Sequence, residues 1–441
     1  MKTRVLMVVC VLALARNVGA QEPFVIYSPV QNLATLFTGL FGPQGLKVDS
    51  EATLPGEQPH TAHFNSDFQS NFDKFTTAIV GQLVTVPLPS PASGFTYELD
   101  PNTGVFKRST DSFGPILAER AETVGAGRVS FGFAFQRFNF QTVEGLDLDR
   151  VPAVFTHDNA QLLGGRQDVI TTLNSIDASV AQYSTYLTIG ITDRFDVSAA
   201  MKLVSNDLKV RSQATIQRLG TTNELTHFFR QSDGGIGNTR VFWAIGHASG
   251  LGDTTVRLKA NLDRQKSRAI AAGLDIRLPT GDQMNLLGTG TAGLAPFVIV
   301  SSSLHRVSPH LNASYQWNGQ SILAGNPATG ESDEFPDQVT YSLGADVVMN
   351  PRVTLALDAL GRYYVNAERL SQETFHALDA ARTPFANIAF ARESFNAVSG
   401  SIGLKVNVAG RLLLDGNLLF ALDDHGVRDR VVPLFAFEYA F

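Results

Sequence analysis

The stretch Thr254–Asp263, TTVRLKANLD, sets Val256, Leu258, Ala260 and Leu262 at alternate positions, with Thr255, Arg257, Lys259, Asn261 and Asp263 between them. A period of two is that of a β-strand with unlike faces. After a short turn, Arg268–Leu278 repeats the plan with Ile270, Ala272, Leu274, Ile276 and Leu278 on one face. Working outward, the same texture recurs at Val129–Phe140, Ala181–Thr192, Phe195–Leu203, Leu294–Leu304, Pro309–Trp317, Val339–Val348, Val353–Val365, Val398–Val408, Leu412–Leu422 and Val431–Phe441, making twelve predicted strands. Tilted membrane strands need about 9–11 residues, whereas strands of soluble proteins average about 5–6. These segments have the membrane length.

The connections agree. Five are tight, at Asp193-Arg194, Arg264–Ser267, His305–Ser308, Asn350–Arg352 and Ala409–Arg411. Six are long, at 144–175, 206–252, 279–293, 318–337, 366–394 and 423–430, and the two kinds alternate along the chain. Transmembrane β-barrels show this asymmetry, with short periplasmic turns and longer outer loops. Ile236–His247 also alternates, but a thirteenth strand would put the C-terminus on the wrong side, so it is assigned to an outer loop. The predicted fold is therefore all-β, an antiparallel meander β-barrel in a membrane.

In such a barrel the apolar face meets lipid and the polar face looks inward. The predicted inward, lumen-lining set is Lys202, Arg257, Lys259, Asp275, Arg277, Asp346, Asp358, Arg362, Lys405 and Asp415, with Glu438 beside them. The turn after Arg264 places Arg257 opposite Asp275. The bland reading of these charges is that they fill a solvated lumen and brace its wall. Aromatic residues near strand ends, such as Tyr315, Trp317 and Tyr363, fit interfacial girdles.

Residues 21–126 differ. Gln31–Leu40 has a short helical pattern, Phe75–Pro87 alternates like a strand, and Phe95–Leu99 and Val105–Lys107 flank a turn. If 75–126 supplies two strands the barrel has fourteen, so the expectation is 12–14. The predicted domains are a signal peptide over 1–20, a plug or periplasmic segment over 21–74 and the barrel over 75–441. The leader has Lys2 and Arg4, then apolar Val5–Ala15, then Val18-Gly19-Ala20, with cleavage between Ala20 and Gln21.

Composition narrows the function. Charged residues make up 17 % and hydrophobic ones 44 %, and losing Lys2, Arg4 and Arg16 with the leader leaves 32 basic residues against 41 acidic, a net charge of −9. A nucleic-acid partner is not expected, since such binders concentrate positive charge. The single cysteine, Cys10, lies in the leader, so thiolate metal sites and cysteine nucleophiles are excluded from the mature chain. Gly288–Gly293 spells G-x-G-x-x-G, but a strand-like run follows it instead of the helix a dinucleotide site requires. His60 and His63 lack a third ligand nearby, and no H-E-x-x-H or G-x-S-x-G occurs. No cofactor, metal or catalytic residue is predicted, although a Ser–His pair on the wall would escape spacing arguments.

The C-terminal face Val431, Pro433, Phe435, Phe437, Tyr439 and Phe441 resembles the signal that barrel-assembly machinery reads in Gram-negative outer-membrane proteins, with Phe437, Tyr439 and Phe441 at its end. Gly94–Phe140, containing Thr96–Pro101 and Ser112–Ala121, resembles the outer-membrane transporter family associated with the meta-pathway of phenol degradation. Similar blocks are Ser249–Asp253, Asp275–Asp282 and Pro309–Gly319. The family is more distantly similar to long-chain fatty acid (FadL-type) transporters, fourteen-stranded barrels with an N-terminal plug. The resemblance implies an outer-membrane channel for passive uptake of small hydrophobic or aromatic molecules, and assigns no residue-level site. The expected partners are outer-membrane lipid, the assembly machinery and a small-molecule substrate, with gating by the N-terminal segment and the loops 206–252 and 366–394. Alternatives are a structural or adhesive barrel binding partners through its outer loops, a general diffusion porin, and a membrane-embedded hydrolase.

Overall fold

The last strand of the chain pairs with the first strand of the wall. Phe437 lies opposite Phe133 and Tyr439 opposite Phe131, and the Phe441 N–H donates to the Val129 carbonyl at 2.8 Å. The sheet has no free edge there, which is what hydrocarbon demands of a backbone that must satisfy its own hydrogen bonds. The computed structural model describes residues 25–28, 31–42, 45–53, 67–87, 89–90, 94–99, 106–157, 165–265 and 267–441. The predicted leader, its Ala20-Gln21 junction, His60 and His63 lie outside the described residues.

The wall strands are β1 Val129–Phe140, β2 Val169–Thr192, β3 Phe195–Gln217, β4 Thr239–Leu251, β5 Thr254–Arg264, β6 Arg268–Leu278 and β7 Gly293–Ser302. They continue as β8 Val307–Asn318, β9 Gln338–Asn350, β10 Val353–His376, β11 Pro384–Ala409, β12 Leu412–Ala421 and β13 Val431–Ala440. All neighbours are antiparallel, and the five predicted tight turns all join consecutive strands. β4 and β5 are two halves of one descending strand. β4 pairs with the upper part of β3 (Leu251 with Leu203), β5 with its lower part (Thr255 with Ala200), and Gly252 N–H bonds to the Lys202 carbonyl between them. The wall therefore has twelve staves, not fourteen.

Three expectations change. Ile236–His247 is no loop: from Thr239 it is β4, and the count stays even because β4 runs on into β5. The loops 206–252 and 366–394 are largely extensions of β3, β4, β10 and β11. Phe75–Pro87 is not a strand, because helix α1 spans Asp67–Leu83. Phe75, Ile79 and Leu83 are four residues apart, and with Ala78 they form one buried stripe, so the alternation read there was the shadow of a helical period. None of the described residues of 75–126 joins the wall, which begins at Val129.

The extensions were missed because the faces exchange character partway along each strand. On β3, Val197, Ala199, Met201 and Leu203 face outward while Asp196, Ser198 and Lys202 face in; above Leu203, Asp207, Lys209, Arg211 and Gln213 face out and Val204, Leu208, Val210 and Ile216 face in. On β2 the exchange falls between Val180 and Ala181, and register sets Ala181 opposite Ser205. Two strands thus draw the outer membrane boundary at one height. Below it lipid lies outside and polar contents inside; above it water lies outside and an apolar core inside.

That core contains α1 and the segment 31–48. Leu33, Leu36, Phe37 and Leu40 pack in one cluster with Phe75 and Ile79, with Val210 and Ile170 of the extended strands, and with Phe155 of the short strand Val151–Thr156 beside β2. Phe41 stands edge-on to Phe155 at 5.3 Å and to Phe242 at 5.0 Å. Val25–Tyr27 adds a short parallel strand to the upper edge of β4.

The boundary is testable on one strand and one face. Leu187→Arg, at a lipid-facing position of β2, should destabilise the barrel by about 2–4 kcal/mol. Asp177→Arg, ten residues higher on the same face, loses an exposed pairing with Lys209 at 3.7 Å and should cost at most about 1 kcal/mol. Urea unfolding in lipid vesicles measures both, and equal costs would misplace the boundary.

Candidate functional site

The lower lumen is occupied by chain. Residues 109–126 carry no helix or strand, so their backbone groups need partners from elsewhere. The wall supplies them. Phe113 N–H donates to Thr354 Oγ1 (3.1 Å), Leu117 N–H to Asp358 Oδ2 (3.2 Å), Ala121 N–H to Ser301 Oγ (2.9 Å) and Val124 N–H to Asp196 (3.0 Å). Asn312 accepts from Glu119 N–H at 2.7 Å and donates to its carbonyl at 2.8 Å. Asn261 and Lys259 reach the carbonyls of Ala121, Arg120 and Glu122. Gly190 lets the segment lie against β2, since a Cβ there would meet the Gly125 carbonyl oxygen at 1.9 Å.

Glu119 is the electrostatic anchor. Its carboxylate takes the Arg257 guanidinium at 2.6 Å and the Lys259 ammonium at 3.1 Å, with Ser90 Oγ donating at 2.7 Å. Burial pushes its carboxyl up, but Lys259 and Arg257 outweigh burial and hold it below its ordinary value. Arg257 also grips Asp275, two bonds of 2.7 Å each, at the register the turn spacing requires.

Two further groups of inward charges lie around the segment. Lys405 bonds Glu438 at 2.7 Å with Asp415 at 3.8 Å, and Glu438 accepts the Gly94 N–H. Asp346 bonds His310 Nε2, whose Nδ1 lies 2.8 Å from Ser301 Oγ. This Ser–His–Asp series is buried, its Ser oxygen takes the Ala121 N–H, and none of the three lines the cavity described next. It serves to hold the interior segment.

Above that segment lies a cavity of about 370 Å³, at the lower end of ligand-sized spaces. Its lining joins apolar groups (Val84, Val86, Phe138, Phe140, Leu360, Tyr364) to Lys202, Arg257, Asp275, Arg277 and Arg362. Of the ten charged positions predicted from sequence, those five line the cavity, and Lys259, Asp346, Asp358, Lys405 and Asp415 lie under or around the interior segment. Sequence reasoning missed Glu119, Asn312 and Asp253. Glu119 lay in a region read as candidate wall, and only the resemblance block Ser112–Ala121 marked it. The glycine-rich Gly288–Gly293 leads into β7 as a loop, with Thr289 bonded to Asp253 at 2.7 Å. Phe437, Tyr439 and Phe441 all face outward on or beside β13.

The fold and its contents define a membrane-spanning β-barrel with an occupied lumen. Residues 159–360, a little under half of the chain, match the family described as "Putative MetA-pathway of phenol degradation", which bears out the resemblance carried by the sequence blocks. Among solved structures, an outer membrane channel from Pseudomonas putida F1 is similar at 12% identity and a TM-score of 0.44, covering 73% of this chain and 98% of that one. The Ralstonia pickettii toluene transporter gives 12% identity, a TM-score of 0.33 and coverage of 72% and 90%. A Pseudomonas aeruginosa FadL homologue gives 10%, 0.29, and 71% and 89%. No curated protein matches the chain.

Removing the anchor should loosen the segment. Glu119→Gln leaves Lys259 without its closest carboxylate, and should cost about 3 kcal/mol in urea unfolding. Because Glu119 titrates below its unfolded value, its contribution is full above the ordinary glutamate range and lost as pH falls through the folded value. The wild type should therefore lose more stability on acidification than Glu119→Gln. Parallel pH curves would remove Glu119 from that role.

Proposed function

We propose that the protein is an outer-membrane channel for passive uptake of small hydrophobic or aromatic molecules. The observation that carries this is the cavity: a ligand-sized space inside a closed wall, with an apolar side and a charged one, between the apolar cluster of the outer half and the hydrogen-bonded segment 109–126. Solute enters from the loop side, rests in the cavity and leaves once the interior segment yields. In this reading the described parts of 21–74 act as an outer plug and 109–126 as an inner one. The aromatic chamber favours apolar or amphipathic solutes over the hydrated ones a general diffusion porin passes. The leader ending at Ala20 would direct export, and the outward face of Phe437, Tyr439 and Phe441 would meet the assembly machinery.

The chain suits a locking experiment, because its one cysteine, Cys10, falls in the proposed leader. Ala121 N lies 2.9 Å from Ser301 Oγ, so Ala121→Cys with Ser301→Cys should tie the segment to the wall. Proteoliposomes carrying the wild type should take up toluene faster than empty ones. The oxidised double variant should pass at most about a tenth of the wild-type flux, and reduction should restore it. Equal flux in both redox states would move the route away from the segment. Wild-type flux no greater than that of empty vesicles would end the channel reading.

A further inference from the structure

The cavity's charges do not balance locally. Arg257 is satisfied by Asp275 and Glu119. Arg428 bonds Asp423, and Asp429 accepts the N–H groups of Asn139 and Val431. Three lining cations remain, Lys202, Arg277 and Arg362, each within electrostatic reach of the others. Lys202 is 8% exposed, and its ammonium has no hydrogen-bond partner among the described residues. Arg277 donates to Asn318 at 2.7 Å, but its Nε lies 3.8 Å from Asp253 and makes no hydrogen bond. Arg362 donates to the Thr85 carbonyl and to no other group among the described residues.

The carboxylate that Lys202 and Arg277 share, Asp253, is already engaged. Asp253 accepts from Gly281 N–H (3.2 Å), Thr289 N–H (2.8 Å) and Thr289 Oγ1 (2.7 Å), and it does not line the cavity. Buried cations are ordinarily paired, because an unpaired charge in low dielectric is costly. Lys202, which is buried, and the half-buried Arg277 and Arg362 surround one ligand-sized space with a single occupied carboxylate behind, and leave room for an anion. Two are guanidinium groups, whose planar fork matches a carboxylate. Phe138, Phe140, Leu360 and Tyr364 give the same space an apolar side that suits a hydrocarbon body.

We propose that the cavity is a binding site for a small organic acid, its carboxylate held by Lys202, Arg277 and Arg362 and its apolar body against the aromatic lining. The inference rests on the channel reading and narrows its substrate class to amphipathic anions.

The test is calorimetric titration of the full-length protein in detergent with sodium benzoate, benzyl alcohol and inorganic phosphate in separate runs. Benzoate should bind at least about tenfold more tightly than either of the others, as expected for charge-assisted pairing combined with apolar contact. The preference over benzyl alcohol should vanish in Lys202→Met and in Arg362→Gln and return in Lys202→Arg. Folding of each variant is verified by the mobility difference between heated and unheated samples. Equal affinity for benzoate and benzyl alcohol would overturn the site, as would phosphate binding as tightly as benzoate, or a preference unchanged in both charge-removing variants. The binding assay needs no membrane, so the two readings separate. Benzoate preference in a protein that passes no solute into vesicles would sink the channel and keep the site. Toluene flux without that preference would do the reverse.

Discussion

A peptide group facing hydrocarbon has no water to bond with, and each one left unpaired costs several kcal/mol. Most of this architecture follows from that penalty. It requires the ring to close, as it does where β13 meets β1. It also obliges the outward side chains to be apolar, which sends Arg257, Lys259, Asn261 and Asn312 inward. Once inward, those groups need partners of their own. The segment 109–126 provides them, and in return its irregular backbone receives the hydrogen bonds that a helix or strand would have given it. Wall and contents are solutions to each other's polar requirement.

The upper half of the barrel meets a different solvent and answers differently. With water outside, strands such as β3 turn their apolar residues inward, and α1 and the segment 31–48 complete an ordinary hydrophobic core. The cavity lies where these two regimes meet, so it draws apolar groups from above and charged groups from below. Its amphipathic lining is a product of position. That explains how one space can offer both Phe138 and Arg277.

How much of this could be read from residues alone depended on whether a segment's pattern stayed in phase. Thr254–Asp263 and Arg268–Leu278 keep one apolar face toward lipid along their length, and their observed bounds differ from the expected ones by at most one residue. β3 was cut at Leu203 because its alternation continues with the faces exchanged, which a rule following one face reads as an end. Arg257 and Asp275 were legible as a pair because a short turn fixes their register. Glu119 was not: its partners lie about 140 residues away in sequence, and irregular chain has no period to betray which way a side chain points. Helix α1 was misread for the opposite reason, since a short amphipathic helix and a strand share enough apolar positions to be confused.

The seam between Val129 and Phe441 has a consequence for construction. The segment 109–126 leads directly into β1, while β13, the stave that completes the circle, comes last in the chain. Threading an irregular peptide into a finished tube would strip water from every amide before any wall partner was reached. Laying it against an open, curving sheet lets each hydrogen bond form as the sheet wraps round. The order of residues thus suits a vessel assembled about its own stopper and sealed by the final strand.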